Sequence, residues 1–245
     1  MLKKSIMIAL ILFMYVPSAF SQTTITVAAD ATWPPMEYMS KDKVIVGFAP
    51  ELLAAMEKVS DIKFNIRNTA WDGIFAGLAT GKYDMISSSV SITDVRKKVM
   101  SFSEPYFEVK QGVITKKNAN IKSKKDLEGK KAGAQIGTTG FLVTRKIKGV
   151  TMKSYDEIGL AVEDLYNGRI DAVVCDDAVA ADYALTKEQY SKDLTLAFLL
   201  KSNTPEYLGF AFKKGASQEN LKLVNDALKK VKESGAYDIL VKKWF

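Results

Sequence analysis

The residues best suited to recognise a charged small molecule form one short segment, Ser87-Ser88-Ser89-Val90-Ser91-Ile92-Thr93-Asp94-Val95-Arg96. The guanidinium of Arg96 presents a planar fork of N–H donors that can hold both oxygens of a carboxylate. Ser89, Ser91 and nearby backbone N–H groups can add neutral hydrogen bonds, which would leave the charges of a bound zwitterion balanced. The segment therefore predicts a carboxylate receptor.

The elements that must position this segment alternate between short β-branched runs and amphipathic helices, which predicts parallel sheets with helical crossovers. The expected strands of the first half are 24–28, 64–67 and 85–86. The serine segment follows directly after the third of these strands. Pro50 suits the first position of one helix, and Asp72 could cap a second helix that ends at Gly81.

The same pattern repeats after Gly112. The expected elements are strands at 131–136 and 170–175, helices at 141–147 and 154–166, an apolar run at 207–212 and a helix at 217–234. Gly137-Thr138-Thr139 and Asp176 each follow one of these strands. Because open α/β sheets bind ligands at the carboxyl ends of their strands, both are candidates for a binding site.

The composition restricts the classes of function. The 245 residues carry a formal net charge of +7, and the lysines are scattered rather than interleaved with aromatic residues along a stripe, so we expect no nucleic-acid partner. The chain has no histidine, which excludes a His-dependent catalytic triad and His-rich metal sites. The lone Cys175 cannot form an intrachain disulfide and is expected in the core. We expect neither a metal nor a cofactor.

The first residues have the pattern of an export signal. Lys3 and Lys4 precede an apolar run at 5–16, and Ala19-Phe20-Ser21 is typical of a cleavage site. The alternative is a membrane anchor, but the apolar run is shorter than the roughly 20 residues that a spanning helix needs. We therefore expect cleavage near Ser21 and a freely diffusing protein in the periplasm.

Several motifs in a fixed order resemble those of the polar amino acid-binding proteins of bacterial ABC importers, solute-binding protein family 3. They are Asp30-Ala31-Thr32-Trp33-Pro34-Pro35, Gly47-Phe48, Trp71-Asp72-Gly73-Ile74, Gly81-Lys82-Tyr83-Asp84, Ser91-Ile92-Thr93-Asp94-Val95-Arg96, Phe102-Ser103-Glu104-Pro105-Tyr106, Asp126-Leu127-Glu128-Gly129-Lys130, Gly137-Thr138-Thr139, Gly168-Arg169-Ile170-Asp171-Ala172-Val173-Val174 and Lys243-Trp244-Phe245. The resemblance is to the type that binds lysine, arginine, ornithine, histidine or glutamine. It implies the two-lobe type II periplasmic-binding-protein fold, with parallel or mixed sheets, flanking helices and two hinge crossings.

The resemblance also implies how the chain is divided. The expected divisions are a signal peptide at 1–21, lobe one at 22–108 and 209–245, lobe two at 112–203, and hinges at 109–111 and 204–208. The C-terminal helices would then return to lobe one.

In this family, Arg96 would hold the ligand carboxylate, helped by Ser91 and by Thr139 at a helix N-terminus. Asp176 would face the α-ammonium from the second lobe, with Ser89 as an additional acceptor and Ser88 beside it. The alternatives are an Arg96 that pairs on the surface with Asp94 or Glu104, and an Asp176 that only caps the helix after it.

The same resemblance places Trp33 and Trp71 on either side of the ligand side chain, where an aromatic face can favour a cation; the alternative is that both are core residues. Asp30 would reach the far end of the ligand, which favours a basic side chain, and glutamine next; the alternative is a turn or a helix cap. Gly140 stands where basic amino-acid binders often carry a longer polar residue, so we expect it to widen the pocket.

The resemblance therefore implies a monomeric solute-binding protein that captures a polar L-amino acid between closing lobes and hands it to a membrane permease. The first alternative is an enzyme, because this fold also hosts dehydratases that act on prephenate or arogenate. The second alternative is a soluble amino-acid sensor or interaction protein.

Overall fold

A computed structural model describes residues 22–215 and 218–245. The expected export signal at 1–21 and Ser217, the expected first residue of a helix, lie outside these ranges. Within them, no helix combines the length and the apolar character that crossing a membrane requires.

The regular elements follow one another closely. The strands are β1 (Thr23–Ala29), β2 (Thr32–Trp33), β3 (Glu37–Met39), β4 (Ile45–Val46), β5 (Ile62–Asn68), β6 (Met85–Ile86), β7 (Met100–Phe102), β8 (Phe107–Val109), β9 (Gln111–Lys116), β10 (Lys131–Gln135), β11 (Thr151–Tyr155), β12 (Ala172–Asp176), β13 (Leu194–Leu199), β14 (Glu206–Leu208) and β15 (Ala211–Lys213). The helices are α1 (Phe48–Lys58), α2 (Trp71–Thr80), α3 (Asp94–Val99), α4 (Thr139–Thr144), α5 (Ile158–Tyr166), α6 (Asp177–Ala181), α7 (Glu188–Ser191), α8 (Gln218–Glu233) and α9 (Ala236–Trp244), with a 3₁₀ turn at Lys124–Leu127 and a π-helical turn at Asp182–Thr186.

Two mixed five-stranded sheets organise the molecule. The first has the order β5-β1-β6-β15-β7, and the second has the order β11-β10-β12-β9-β13. Strand β1 is parallel to β5 and β6, whereas β15 runs antiparallel to β6 and β7. Likewise β10 is parallel to β11 and β12, whereas β9 runs antiparallel to β12 and β13. The expected parallel or mixed sheets flanked by helices are confirmed.

The chain passes between the two sheets twice. It leaves the first sheet after β7 and returns to it at β15, and on the way β8 and β14 pair with each other in an antiparallel ribbon. Helix α8, near the C-terminus, then packs on the side of the first sheet. One buried stripe on this helix makes the contact, formed by Val224, Ala227, Leu228 and Val231.

Some element boundaries differ from the sequence-based expectations. Helix 154–166 is wrong at its start, because Ser154 and Tyr155 belong to the edge strand β11 and pair with β10. That strand is mostly exposed and lacks the apolar alternation that marks a strand. Helix α1 begins two residues before Pro50, and Asp72 lies inside the first turn of α2 instead of capping it. The apolar run at 207–212 is divided between β14 and β15.

Candidate functional site

The carboxyl ends of parallel strands from both sheets face one cavity. Its lining residues are Asp30, Trp33, Trp71, Ser88, Ser89, Ser91, Arg96, Gln135, Thr138, Thr139 and Asp176. All nine residues to which the sequence analysis gave a ligand-binding role are in this set. It also contains Thr138, from the selected segment Gly137-Thr138-Thr139, and Gln135, which the sequence analysis did not select. The arrangement brings residues that lie far apart in the sequence to the edge where open α/β sheets place ligands.

Arg96 is the cation of the cavity. It lies on α3, whose N-terminus is capped by Thr93, and its guanidinium donates to the carbonyl oxygens of Ser91 (3.0 Å) and Gly137 (3.2 Å). Within residues 22–215 and 218–245 it forms no ion pair with a carboxylate. Asp94, one of the two alternative partners, has its Oδ1 3.9 Å from Nζ of Lys97 instead. Burial lowers the pKa of Arg96 to about 10, so this cation lacks part of its solvation and would gain from an anion.

Asp176 supplies a carboxylate from the second sheet. It ends β12 and precedes α6, but its side chain does not cap that helix. Its Oδ1 accepts from the amide of Gln111 (2.8 Å) and its Oδ2 from the indole N–H of Trp33 (3.2 Å). Burial first, and Glu206 second, raise the pKa of Asp176 to about 7. A bound ammonium would therefore stabilise its charged form.

Asp30 supplies a second carboxylate at the end of β1. One of its oxygens accepts from the Thr32 hydroxyl (2.9 Å), and the other accepts from the side-chain amide of Gln135 (2.9 Å). Its backbone N–H donates to Ser88 Oγ (2.9 Å). Burial raises the pKa of Asp30. Asp30 thus takes part in a local turn with Thr32 and also lines the cavity.

The two tryptophans are buried and contribute their N–H groups as well as their rings. Trp71 donates to the carbonyl oxygen of Ile136 (2.9 Å), and its ring lies 5.6 Å from the Arg96 guanidinium. With Trp33 donating to Asp176, both indoles bond across the cavity to the second sheet's side. Ser91 and Thr139 also meet across it at 3.3 Å. The structure is therefore closed around the cavity.

The comparison with known proteins assigns the family. Residues 25–245 match the family described as bacterial extracellular solute-binding proteins, family 3. The chain belongs to this family. Its fold is the two-lobe type II periplasmic-binding-protein fold, as the sequence analysis expected.

Relatives of this solute-binding protein are similar over nearly their whole length. A probable histidine-binding protein of Neisseria gonorrhoeae is 35% identical over 94% of this chain and 85% of its own length. An ABC transporter arginine-binding protein 1 of Escherichia coli strain K12 is 32% identical over 99% of both chains. The structure of an ancestral arginine-binding protein bound to arginine superposes with a TM-score of 0.84 and 36% identity, over 92% of this chain and 99% of the other.

Ser89 is held by a residue that the sequence analysis did not select. Its backbone has φ = 46°, a left-handed conformation that non-glycine residues rarely adopt. Its hydroxyl donates to Oε2 of the fully buried Glu37 (3.1 Å). Burial raises the pKa of Glu37 well above its usual value. Ser89 of this solute-binding protein lines the cavity. Its hydroxyl hydrogen is already used in the bond to Glu37.

Gly140 does not widen the cavity, and that expectation is wrong. A Cβ built at Gly140 would lie 2.7 Å from Oε1 of Gln111 and 3.0 Å from the carbonyl oxygen of Val174. The space that a longer side chain would take at this position is filled by the amide of Gln111, which enters from another strand. A side chain at this position would therefore force the Gln111 amide to move, and the local sequence does not reveal this.

Proposed function

We propose that this protein captures a polar L-amino acid in the cavity between its lobes and delivers it to the membrane permease of an ABC importer. The observation that carries the proposal is that two groups line one closed cavity from the sides of different sheets: Arg96, a cation with no ion pair among the described residues, and Asp176, a buried carboxylate. A zwitterion would neutralise both groups at once, and the loss of their solvation would then be offset. The family membership supports the same function.

Each end of an α-amino acid has partners in this arrangement. Arg96, Ser91 and Thr139 would bind the carboxylate, and Asp176 would bind the ammonium with Ser89 nearby. Ser88 would hold Asp30 in place through its hydrogen bond to that residue's backbone N–H.

The remaining walls favour a basic side chain, with glutamine next. Asp30, Trp33 and Trp71 line this part of the cavity, and a carboxylate beside aromatic faces suits a cation or an amide donor. Gln135 already donates to Asp30, so a ligand would share or replace this bond. The arginine- and histidine-binding relatives support a basic ligand.

We propose the lobe boundaries 22–108 with 209–245, and 112–203, joined by hinges at 109–111 and 204–208. The pairing of β8 with β14 supports this division, because the two crossings then lie side by side and can bend together. Ligand binding would shift the population towards the closed form by as much as it prefers that form.

The protein would act as a monomer in the periplasm after cleavage near Ser21, with no nucleic-acid partner and no catalysis. The family's description as extracellular supports export. The enzyme that acts on prephenate, the alternative from the sequence, would instead need a general acid in the cavity.

A thermal-shift panel tests the proposal. The melting temperature should rise with arginine, lysine, ornithine, histidine and glutamine. At a hundredfold excess over the dissociation constant, the bound ligand adds about 2.7 kcal/mol to the free energy of unfolding. Glutamate should not do so. Release of phenylpyruvate from prephenate, or the absence of any shift across the amino acids, would contradict the proposed function.

A further inference from the structure

Gln111 occupies a central position that the ligand contacts do not explain. It is the first residue of β9, at the first proposed hinge, and it is buried with only 5% of its surface exposed. Gln111 does not line the cavity itself. It contacts two residues that do line the cavity, Asp176 and Thr139, so it can influence the ligand only through them.

The amide nitrogen of Gln111 faces three acceptors. These are Asp176 Oδ1 at 2.8 Å, Thr139 Oγ1 at 3.2 Å and Glu206 Oε2 at 3.2 Å. Asp176 belongs to the proposed ammonium site, Thr139 to the proposed carboxylate site, and Glu206 to the second proposed hinge. The amide has two N–H groups and can therefore donate to two of these acceptors at a time, which links the ligand site to the second proposed hinge.

The chain makes room for this amide. Because Gly140 has no side chain, Oε1 of Gln111 can lie where a Cβ of residue 140 would come within 2.7 Å. The oxygen has no hydrogen-bond partner among the described residues, and the same is true of Glu206 Oε1. The orientation of Gln111 is therefore determined by its nitrogen, and the two carboxylates are the strongest acceptors for it.

We propose that Gln111 is a positioning residue that keeps Asp176 charged and oriented for the ligand ammonium, and that it couples this site to the second hinge through Glu206. The inference rests on the proposed function, because it assumes that an α-ammonium binds at Asp176. A neutral donor between two carboxylates reduces their repulsion without adding a positive charge that would compete with the ligand.

The electrostatic surroundings of Asp176 make the role measurable. The charged and titratable groups that face it are Glu206, Asp177, Arg96, Glu37, Cys175 and Tyr106. Among these only Arg96 is a cation. The hydrogen bond from Gln111 opposes the rise in the pKa of Asp176, so its loss should leave more of this carboxylate protonated near neutral pH. A protonated Asp176 cannot pair with an ammonium.

The test compares Gln111→Leu with the wild type by calorimetric titration with L-arginine, L-histidine and L-glutamine at about pH 6 and about pH 8. Affinity should fall roughly tenfold to a hundredfold near pH 6, as expected for a lost hydrogen bond to a charged group. The loss should be clearly smaller near pH 8, because the ionised fraction of Asp176 then depends less on this hydrogen bond. Gln189→Leu, at a surface glutamine bonded to Glu163 at 3.0 Å, is the matched control and should change nothing.

A second pair of variants tests the role of the glycine. Gly140→Ala should displace Gln111 and weaken binding in the same pH-dependent way, whereas Gly140→Ala added to Gln111→Ala should cause little further loss. An equal loss at both pH values, or an unchanged affinity in Gln111→Leu, would overturn the positioning role alone. If the wild type binds none of the three amino acids, the proposed function fails and this inference fails with it.

Discussion

Replacing Arg96 by alanine should abolish useful binding of the amino acid and leave the fold intact. Burial lowers the pKa of this guanidinium to about 10, a shift that corresponds to about 3 kcal/mol of unfavourable charge burial. A ligand carboxylate that restores the favourable environment would recover an energy of this order. The variant should therefore bind roughly a hundredfold more weakly, within the range of about 2–5 kcal/mol for truncating a buried charge pair.

Calorimetry on the purified variants measures this loss directly. Arg96→Lys should bind more weakly than the wild type but better than Arg96→Ala, because it keeps the charge and loses the planar fork. Arg169→Ala is the matched control, since Arg169 is an exposed arginine that pairs with Asp164 at 2.8 Å. Without ligand, Arg96→Ala should melt no lower than the wild type, because a poorly solvated cation has been removed. Near wild-type affinity in a folded Arg96→Ala variant would refute the assignment of the carboxylate site.

Four further outcomes are expected. Because the pKa of Asp176 is raised to about 7, binding should release a proton near pH 6, and affinity should rise with pH up to about 8; titrations in two buffers of different ionisation enthalpy measure the proton, and uptake instead of release would contradict the expectation. The same raised pKa means that between about pH 4 and pH 7 the folded ligand-free protein binds a proton that the unfolded chain has lost, so the contribution of Asp176 to stability should decline as pH rises across this range. Urea titrations of the wild type and of Asp176→Asn measure this contribution as the difference between their free energies of unfolding. A difference that rose with pH would refute the burial of Asp176. Asp30→Asn should weaken a basic amino acid far more than glutamine, because only the basic ligand loses an ion pair, and equal losses would show that Asp30 does not face the ligand side chain. Small-angle scattering should show a smaller radius of gyration with saturating ligand, and an unchanged radius in a sample with confirmed binding would argue against closure.

Much of the site could be predicted from the sequence because its chemistry is carried by short motifs. The serine segment with Arg96, the threonines after Gly137 and the acidic residue after a buried strand are each local patterns. Strand ends can be located from apolar runs, and parallel sheets bring such ends to one edge. The family resemblance then assigned roles to these residues, and the structure gathers all of them around one cavity.

The sequence by itself determined the two-sheet α/β class, the family and the residues with charged or hydroxyl groups at the cavity. Only the tertiary structure decided which other buried side chains hold these cavity residues in place. Gln135 meets Asp30 across 105 residues, and Gln111 meets Glu206 across 95, whereas Glu37 reaches Ser89 from a different sheet. A buried amide or carboxyl is positioned by whichever unsatisfied group the fold brings near it. No local sequence pattern predicts which groups will meet. For the same reason, only the structure shows that Gln111 occupies the space beside Gly140.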